Sequence, residues 1–124
     1  MELQEFTKQL LEVQELMETE KYAEALLILS KLKDIEKKGD FDYNLTHKLY
    51  QLDSNCRSLY HQKKILKQIN TFAESQNSIS LKNLKESLSP GLILDDGILR
   101  KEIELLILRG LLNCKIEGNE LKFR

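Results

Sequence analysis

The stretch Leu106-Ile107-Leu108-Arg109-Gly110-Leu111-Leu112-Asn113-Cys114-Lys115-Ile116-Glu117-Gly118-Asn119-Glu120-Leu121-Lys122-Phe123-Arg124 decides the fold, because the hydrophobic period changes within it. Leu99, Ile103, Leu106 and Ile107 recur at steps of one, three and four, which lines up one face of a helix. Gly110 then supplies a natural left-handed cap. Beyond it the pattern alternates. Cys114 and Ile116 point one way while Lys115 and Glu117 point the other, and after Gly118-Asn119 both Leu121 and Phe123 point inward again. A helix therefore runs into a two-stranded hairpin closed by a tight Gly-Asn turn.

Working back from that helix, its start falls at Asp95 or Asp96, whose carboxylate can accept the unpaired amide hydrogens of the first turn. A shorter helix, Leu81 to Leu88, aligns Leu81, Leu84 and Leu88 and is ended by Ser89-Pro90-Gly91. Before it lie a polar turn, Ser75-Gln76-Asn77-Ser78, and a short extended piece, Ile79-Ser80-Leu81. The apolar run Leu92-Ile93-Leu94 has two readings: filling between the two helices, or an exposed anchor for a partner, with Leu92 and Ile93 as its candidates.

Further upstream, Leu45, Leu49, Leu52, Cys56, Leu59, Leu66, Ile69 and Ala73 form a heptad-like seam interrupted by Lys63, with no Gly or Pro between Gly39 and Pro90. This predicts a long central helix, and a homodimeric coiled-coil adaptor is one alternative use of such a seam. A break at His61 to Lys64 would make Ile65 to Glu74 the start of a second lobe, which gives a helical segment at 1–64 and a C-terminal lobe at 65–124. The N-terminal residues Leu3, Phe6, Leu10, Val13 and Leu16 or Met17 mark one amphipathic helix. Tyr22, Ala25, Leu26, Leu29, Leu32 and Ile35 mark a second, which Lys37-Lys38-Gly39 closes. The run Lys21 to Leu26 resembles the small-residue signature of tetratricopeptide helices, but no second copy follows at a fixed period, so the prediction is an antiparallel helical hairpin.

Composition agrees. The chain has 124 residues, enough for one domain or two small lobes. Its 41% hydrophobic and 31% charged residues describe a globular rather than a disordered chain. Five glycines and one proline are too few for an all-β sandwich or barrel. The expected fold is mainly α: a helical hairpin, a long central helix and a C-terminal lobe with a small antiparallel β-hairpin. With 19 basic against 20 acidic residues, there is no cationic surplus for a sequence-independent hold on nucleic acid. The longest apolar run, Ala25 to Leu29, is too short for a bilayer span, and no membrane association is expected. Cys56 and Cys114 lie far apart in apolar patterns and read as buried, reduced thiols of a cytoplasmic or nuclear protein.

Enzymatic chemistry is not expected, and neither is a cofactor or a metal. The only histidines, His47 and His61, are fourteen positions apart. On one helix that separates them by roughly 21 Å along the axis. No Cys-x-x-Cys, His-Glu-x-x-His, Gly-rich phosphate loop or Gly-x-Ser-x-Gly elbow occurs. The pair Asp95-Asp96 reads as a helix cap rather than a catalytic dyad.

Helix, short strand, helix, turn, helix and hairpin is the element order of a winged helix, here from Ile65 to Arg124. The run Ile79-Ser80-Leu81-Lys82-Asn83-Leu84, the helix exit Leu108-Arg109-Gly110-Leu111-Leu112 and the strand Cys114-Lys115-Ile116-Glu117-Gly118 together resemble the C-terminal half of a PCI domain. The preceding helices are similar to the helical half of such domains, though shorter. The resemblance implies a scaffold subunit whose partners are proteins, as in the proteasome lid, the signalosome and translation initiation factor 3, where winged helices associate through their sheet edges. A three-stranded sheet ending at the chain terminus leaves an edge of unpaired backbone groups. On this expectation that edge runs along the outward residues Lys115, Glu117, Lys122 and Arg124, with the backbone of Lys122 open. The competing function is nucleic-acid binding, with the helix Asp95 to Arg109 in a groove. Its first residues, Asp95-Asp96-Gly97, would meet phosphates with like charge, and residues 71–124 hold eight basic and eight acidic side chains. The candidate nucleic-acid face is instead Arg57, Lys63, Lys64 and Lys67.

Overall fold

A computed structural model describes residues 1–124 apart from Pro90 and Ile93. The protein is mainly helical, with a small three-stranded antiparallel sheet toward the C-terminus. It divides into two compact units, Met1–Tyr60 and His61–Arg124.

In the first unit, α1 (Leu3–Glu18) buries Phe6, Leu10 and Val13, the predicted stripe. Its end is set by backbone chemistry. Glu20 sits in the left-handed region at φ 60°, the amide of Glu20 donates to the Met17 carbonyl at 3.1 Å, and that of Lys21 donates to the Leu16 carbonyl at 2.8 Å. These two bonds satisfy carbonyls that a helix end leaves orphaned, and they turn the chain at once into α2 (Tyr22–Lys38). That helix buries Tyr22, Ala25, Leu29 and Leu32. The rings of Phe6, near the start of α1, and Phe41, after α2, lie 4.6 Å apart, as an antiparallel hairpin requires. The Asp42 carboxylate accepts from the Leu45 amide at 2.9 Å and caps α3 (Tyr43–Ala73). Leu49 and Cys56 of α3 complete the same core, with Leu45, Leu52 and Leu59 packed against it. Two of the seam positions that could have served a coiled coil are thus enclosed inside one chain.

In the second unit, the last turns of α3 bury Ile65 and Ile69. Strand β1 (Ser78–Ser80) runs directly into α4 (Leu81–Leu88), because the Ser80 hydroxyl accepts from the Asn83 amide at 3.0 Å and starts the helix. The Asp95 carboxylate does the same for α5 (Asp96–Leu108), accepting from the Ile98 amide at 2.8 Å. Gly110, at φ +76°, ends it, its amide donating to the Ile107 carbonyl while that of Leu111 reaches back to Leu106. Leu99, Ile103 and Leu106 face inward with Ile79, Leu84, Leu112 and Leu121.

The hairpin is β2 (Cys114–Glu117) and β3 (Glu120–Phe123), joined through Gly118 at φ 58° and Asn119. The sheet order is β1-β3-β2. This corrects the expectation for Lys122. The last strand is central, and Lys122 faces Ser78 on one side and Lys115 on the other. The chain returns inside its own hairpin because β1 needs a partner and β3 offers it one. Lys122→Pro is therefore expected to destabilise the unit by about 1–3 kcal/mol, through a lost ladder donor and an unpaired carbonyl. An unchanged melting temperature would contradict the central placement of β3.

Candidate functional site

The candidate site is the outer edge of β2. Antiparallel pairing alternates, so successive residues direct their backbone groups to opposite sides. The Arg124 amide donates to the Asn113 carbonyl at 3.2 Å, and the Phe123 amide donates to the Asn77 carbonyl at 2.9 Å. Along β3, even-numbered residues therefore face β2 and odd-numbered residues face β1. In the observed register, Lys115 and Glu117 direct their backbone groups toward β3. The N–H and C=O groups of Cys114 and Ile116 lie on the outer side, where no strand follows among the described residues.

Side chains on the solvent face of the hairpin form a small ionic array. Glu117 accepts from Lys122 at 2.7 Å and from Lys115 at 3.2 Å. The ammonium of Lys122, and after it that of Lys115, holds the Glu117 carboxyl below its usual range, and Glu117 in turn raises Lys122. A lowered carboxylate contributes its stability above the unfolded-state pKa and loses it as pH falls through the folded one. Exposed pairs of this kind contribute little to folding, so the array acts mainly by setting the charge pattern of the edge. The turn is held from behind: Arg100 of α5 donates to the Gly118 carbonyl at 3.0 Å and to Asn119 Oδ1 at 3.5 Å. An open groove of about 700 Å³ lies beside it, lined by Leu81, Lys85, Leu94 and Leu99 among others. Lys85 there is paired with Asp96 at 3.1 Å.

Of the residues predicted for partner binding, Lys115, Glu117 and Lys122 come together on this hairpin face, and Arg124 lies exposed at the end of the same strand. Leu92 does not join them. It is 8% exposed and belongs to the core, because the segment after α4 must cover the apolar faces of α4 and α5. Ile93 lies outside the described residues. Of the basic residues considered for nucleic acid, Arg57 is engaged with Asp53 at 3.3 Å, and Lys33 donates to the same carboxylate at 3.2 Å. Lys63, Lys64 and Lys67 are exposed on the part of α3 that belongs to the second unit.

Sequence reasoning missed the buried polar residues Asp53, Gln62 and Glu102. Asp53 had a signal, since it follows Leu49 by four and precedes Cys56 by three, on the inward stripe. Gln62 accepts from the Arg109 guanidinium, a contact between α3 and the end of α5 that no local pattern announces. Cys56 is fully buried, its thiol donating to the Tyr22 carbonyl at 3.6 Å. Burial first, and Asp53 second, push this thiol up to about 11, against an opposing pull from Arg57. Its raised pKa contributes stability that is complete below the ordinary thiol range and is lost as pH rises from about 9 through 11. Folded protein at pH 8 should therefore leave Cys56 unlabelled by a thiol reagent, with stability declining above pH 9. Rapid labelling at pH 8 would contradict its burial.

Among the described residues, no group of three or more His, Cys, Asp or Glu side chains could hold a metal ion, and no helix is long and apolar enough to cross a membrane. No protein-family model, curated protein or solved structure matches the chain.

Proposed function

We propose that this chain is a non-enzymatic interaction subunit of a multi-protein assembly, and that its second unit is a winged helix of PCI type which takes a partner's strand along the outer edge of β2. The observation that carries this reading is the sheet order β1-β3-β2, which leaves the backbone groups of Cys114 and Ile116 unpaired by any strand among the described residues. An edge of this kind is a template for strand addition, in which main-chain hydrogen bonds give affinity and alternate side chains give selectivity. The order of elements from α3 through β3 supports the winged-helix assignment. Nucleic acid is the weaker partner: Asp95 caps α5 and Asp96 opens it, and Arg57 is engaged with Asp53.

The test is capture of partners by the tagged chain from native lysate, after nuclease treatment, with the native sequence and with Ile116→Pro. The Ile116 amide lies on the outer side, so proline there blocks an added strand without removing a donor to β3. The native chain is expected to retain a stoichiometric set of proteins. Ile116→Pro, with an unchanged circular dichroism spectrum, should lose them by about tenfold or more, the effect of roughly one hydrogen-bonded contact pair. Recovery that collapses with nuclease, or equal capture by both chains, would overturn the proposal.

A further inference from the structure

The outer edge of β2 is complementary to itself, and the geometry points to a second copy of this chain as one of its occupants. Two antiparallel β2 strands related by a two-fold axis can exchange hydrogen bonds only in registers that face outer-side residues with outer-side residues. Because Cys114 and Ile116 hold the outer-side groups, the registers that use them are centred on residue 114, 115, 116 or 117. Centring on 114 overlaps the two strands at Cys114 alone, where β2 begins, which leaves 115, 116 and 117. Charge chooses among them. Centring on 115 sets Lys115 against Lys115, and centring on 117 sets Glu117 against Glu117. Like charges directly opposite on a sheet are destabilising.

Centring on 116 does the reverse. Each Lys115 faces the Glu117 of the other copy on the solvent side, giving two equivalent opposite-charge pairs, and Glu117 already accepts from cations on that face. On the inner side, the half-buried Ile116 meets its own counterpart and covers apolar surface that one copy leaves open. The two Ile116 residues exchange both their N–H···O=C bonds, joining two three-stranded sheets into one of six. The strands are short, so the association is weak, and a partner with a longer strand displaces the second copy.

This inference rests on the same open edge as the proposed function. The experiment is sedimentation equilibrium of the whole chain from about 10 μM to about 1 mM, the range in which so small an interface associates. The native chain should show a monomer–dimer equilibrium. Lys115→Glu and Glu117→Lys should each weaken it by about tenfold or more, since each places like charges at both symmetric pairs. Mixing these two variants should restore a one-to-one dimer, because one copy then carries carboxylates at both positions and the other carries ammonium groups at both. The double variant Lys115→Glu/Glu117→Lys should also self-associate, and Ile116→Pro should not. Circular dichroism of each variant establishes that it is folded. A native chain that is monomeric at about 1 mM, or a dimer indifferent to these charges, would overturn the inference. Monomeric native chain that still captures proteins through Ile116 would leave the proposed function standing, whereas capture and self-association both unaffected by Ile116→Pro would remove the edge from both.

Discussion

Leu121→Asp is expected to abolish the cooperative unfolding transition of the His61–Arg124 unit. Leu121 is fully buried in the central strand, facing Ile79 of β1 and Ile116 of β2. Removing a buried leucine side chain costs about 2–5 kcal/mol in lost transfer energy and cavity. A carboxylate placed between two isoleucines adds the penalty of an unpaired buried charge, or of the protonation that relieves it. A small domain has about 5–15 kcal/mol to lose in total, so the two terms together remove most or all of it. Amide resonances of Ser78–Ser80, Cys114–Glu117 and Glu120–Phe123 should collapse toward unfolded positions. Phe123→Asp should be milder, because Phe123 is only half-buried. Unchanged melting of Leu121→Asp would mean that β3 does not lie in the middle of the sheet.

The second large effect belongs to the Met1–Tyr60 unit. Phe6 has no exposed surface, and its ring lies 4.6 Å from that of Phe41 with the planes tilted by 31°. The contact closes the open end of the α1–α2 hairpin, opposite the short Thr19–Lys21 connection. Phe6→Ala should cost about 3–5 kcal/mol. About 0.5–1.5 kcal/mol of that belongs to the ring pair beyond simple burial. Phe41→Ala, at a half-buried ring, should cost less, and the double variant should cost less than the sum because the shared contact is lost only once. Denaturant midpoints for the four proteins decide it. A loss below about 1 kcal/mol for Phe6→Ala would place that ring outside the core.

Both buried residues were legible in the sequence because helices and strands print their burial as period. Phe6, Leu10 and Val13 recur at steps of four and three, and Leu121 alternates with Glu120 and Lys122. Capping was equally local: Gly110 and Asp95 each act within a few residues of where they stand. The order of strands was not legible. The pairing of Ile79 with Leu121 joins positions 42 apart, and nothing in a three-residue strand names its partner. That one long-range fact makes β3 central and puts the edges at β1 and β2. Of the two, β2 is the longer, and with it the candidate site moves from Lys122 to Ile116.

The seam of α3 illustrates a subtler failure. Its heptad reading places Leu66 and Ala73 inward, whereas Leu66 is half-buried, Ala73 is exposed, and Gln62 and Ile65 take the covered positions. A straight helix drifts by about 20° per heptad, so a seven-residue pattern slides off the face it began on. The packing environment also changes at His61, where α3 passes from one compact unit to the other. Charge hid Asp53 in the same way. Its position on the inward stripe is plain, but an aspartate there is tolerated only because Lys33 and Arg57 reach it, and Lys33 comes from a different helix.

The edge of β2 is the centre of this account, and hydrogen exchange at single amides measures it directly. In dilute, unassociated protein, the amides of Lys115 and Glu117, which point toward β3, should exchange slowly, and that of the half-buried Ile116 quickly. When captured partner is added, protection should appear at Ile116. Slow exchange of Ile116 in the dilute chain, or partner binding that leaves this amide unprotected while protecting Lys63, Lys64 and Lys67, would contradict the account.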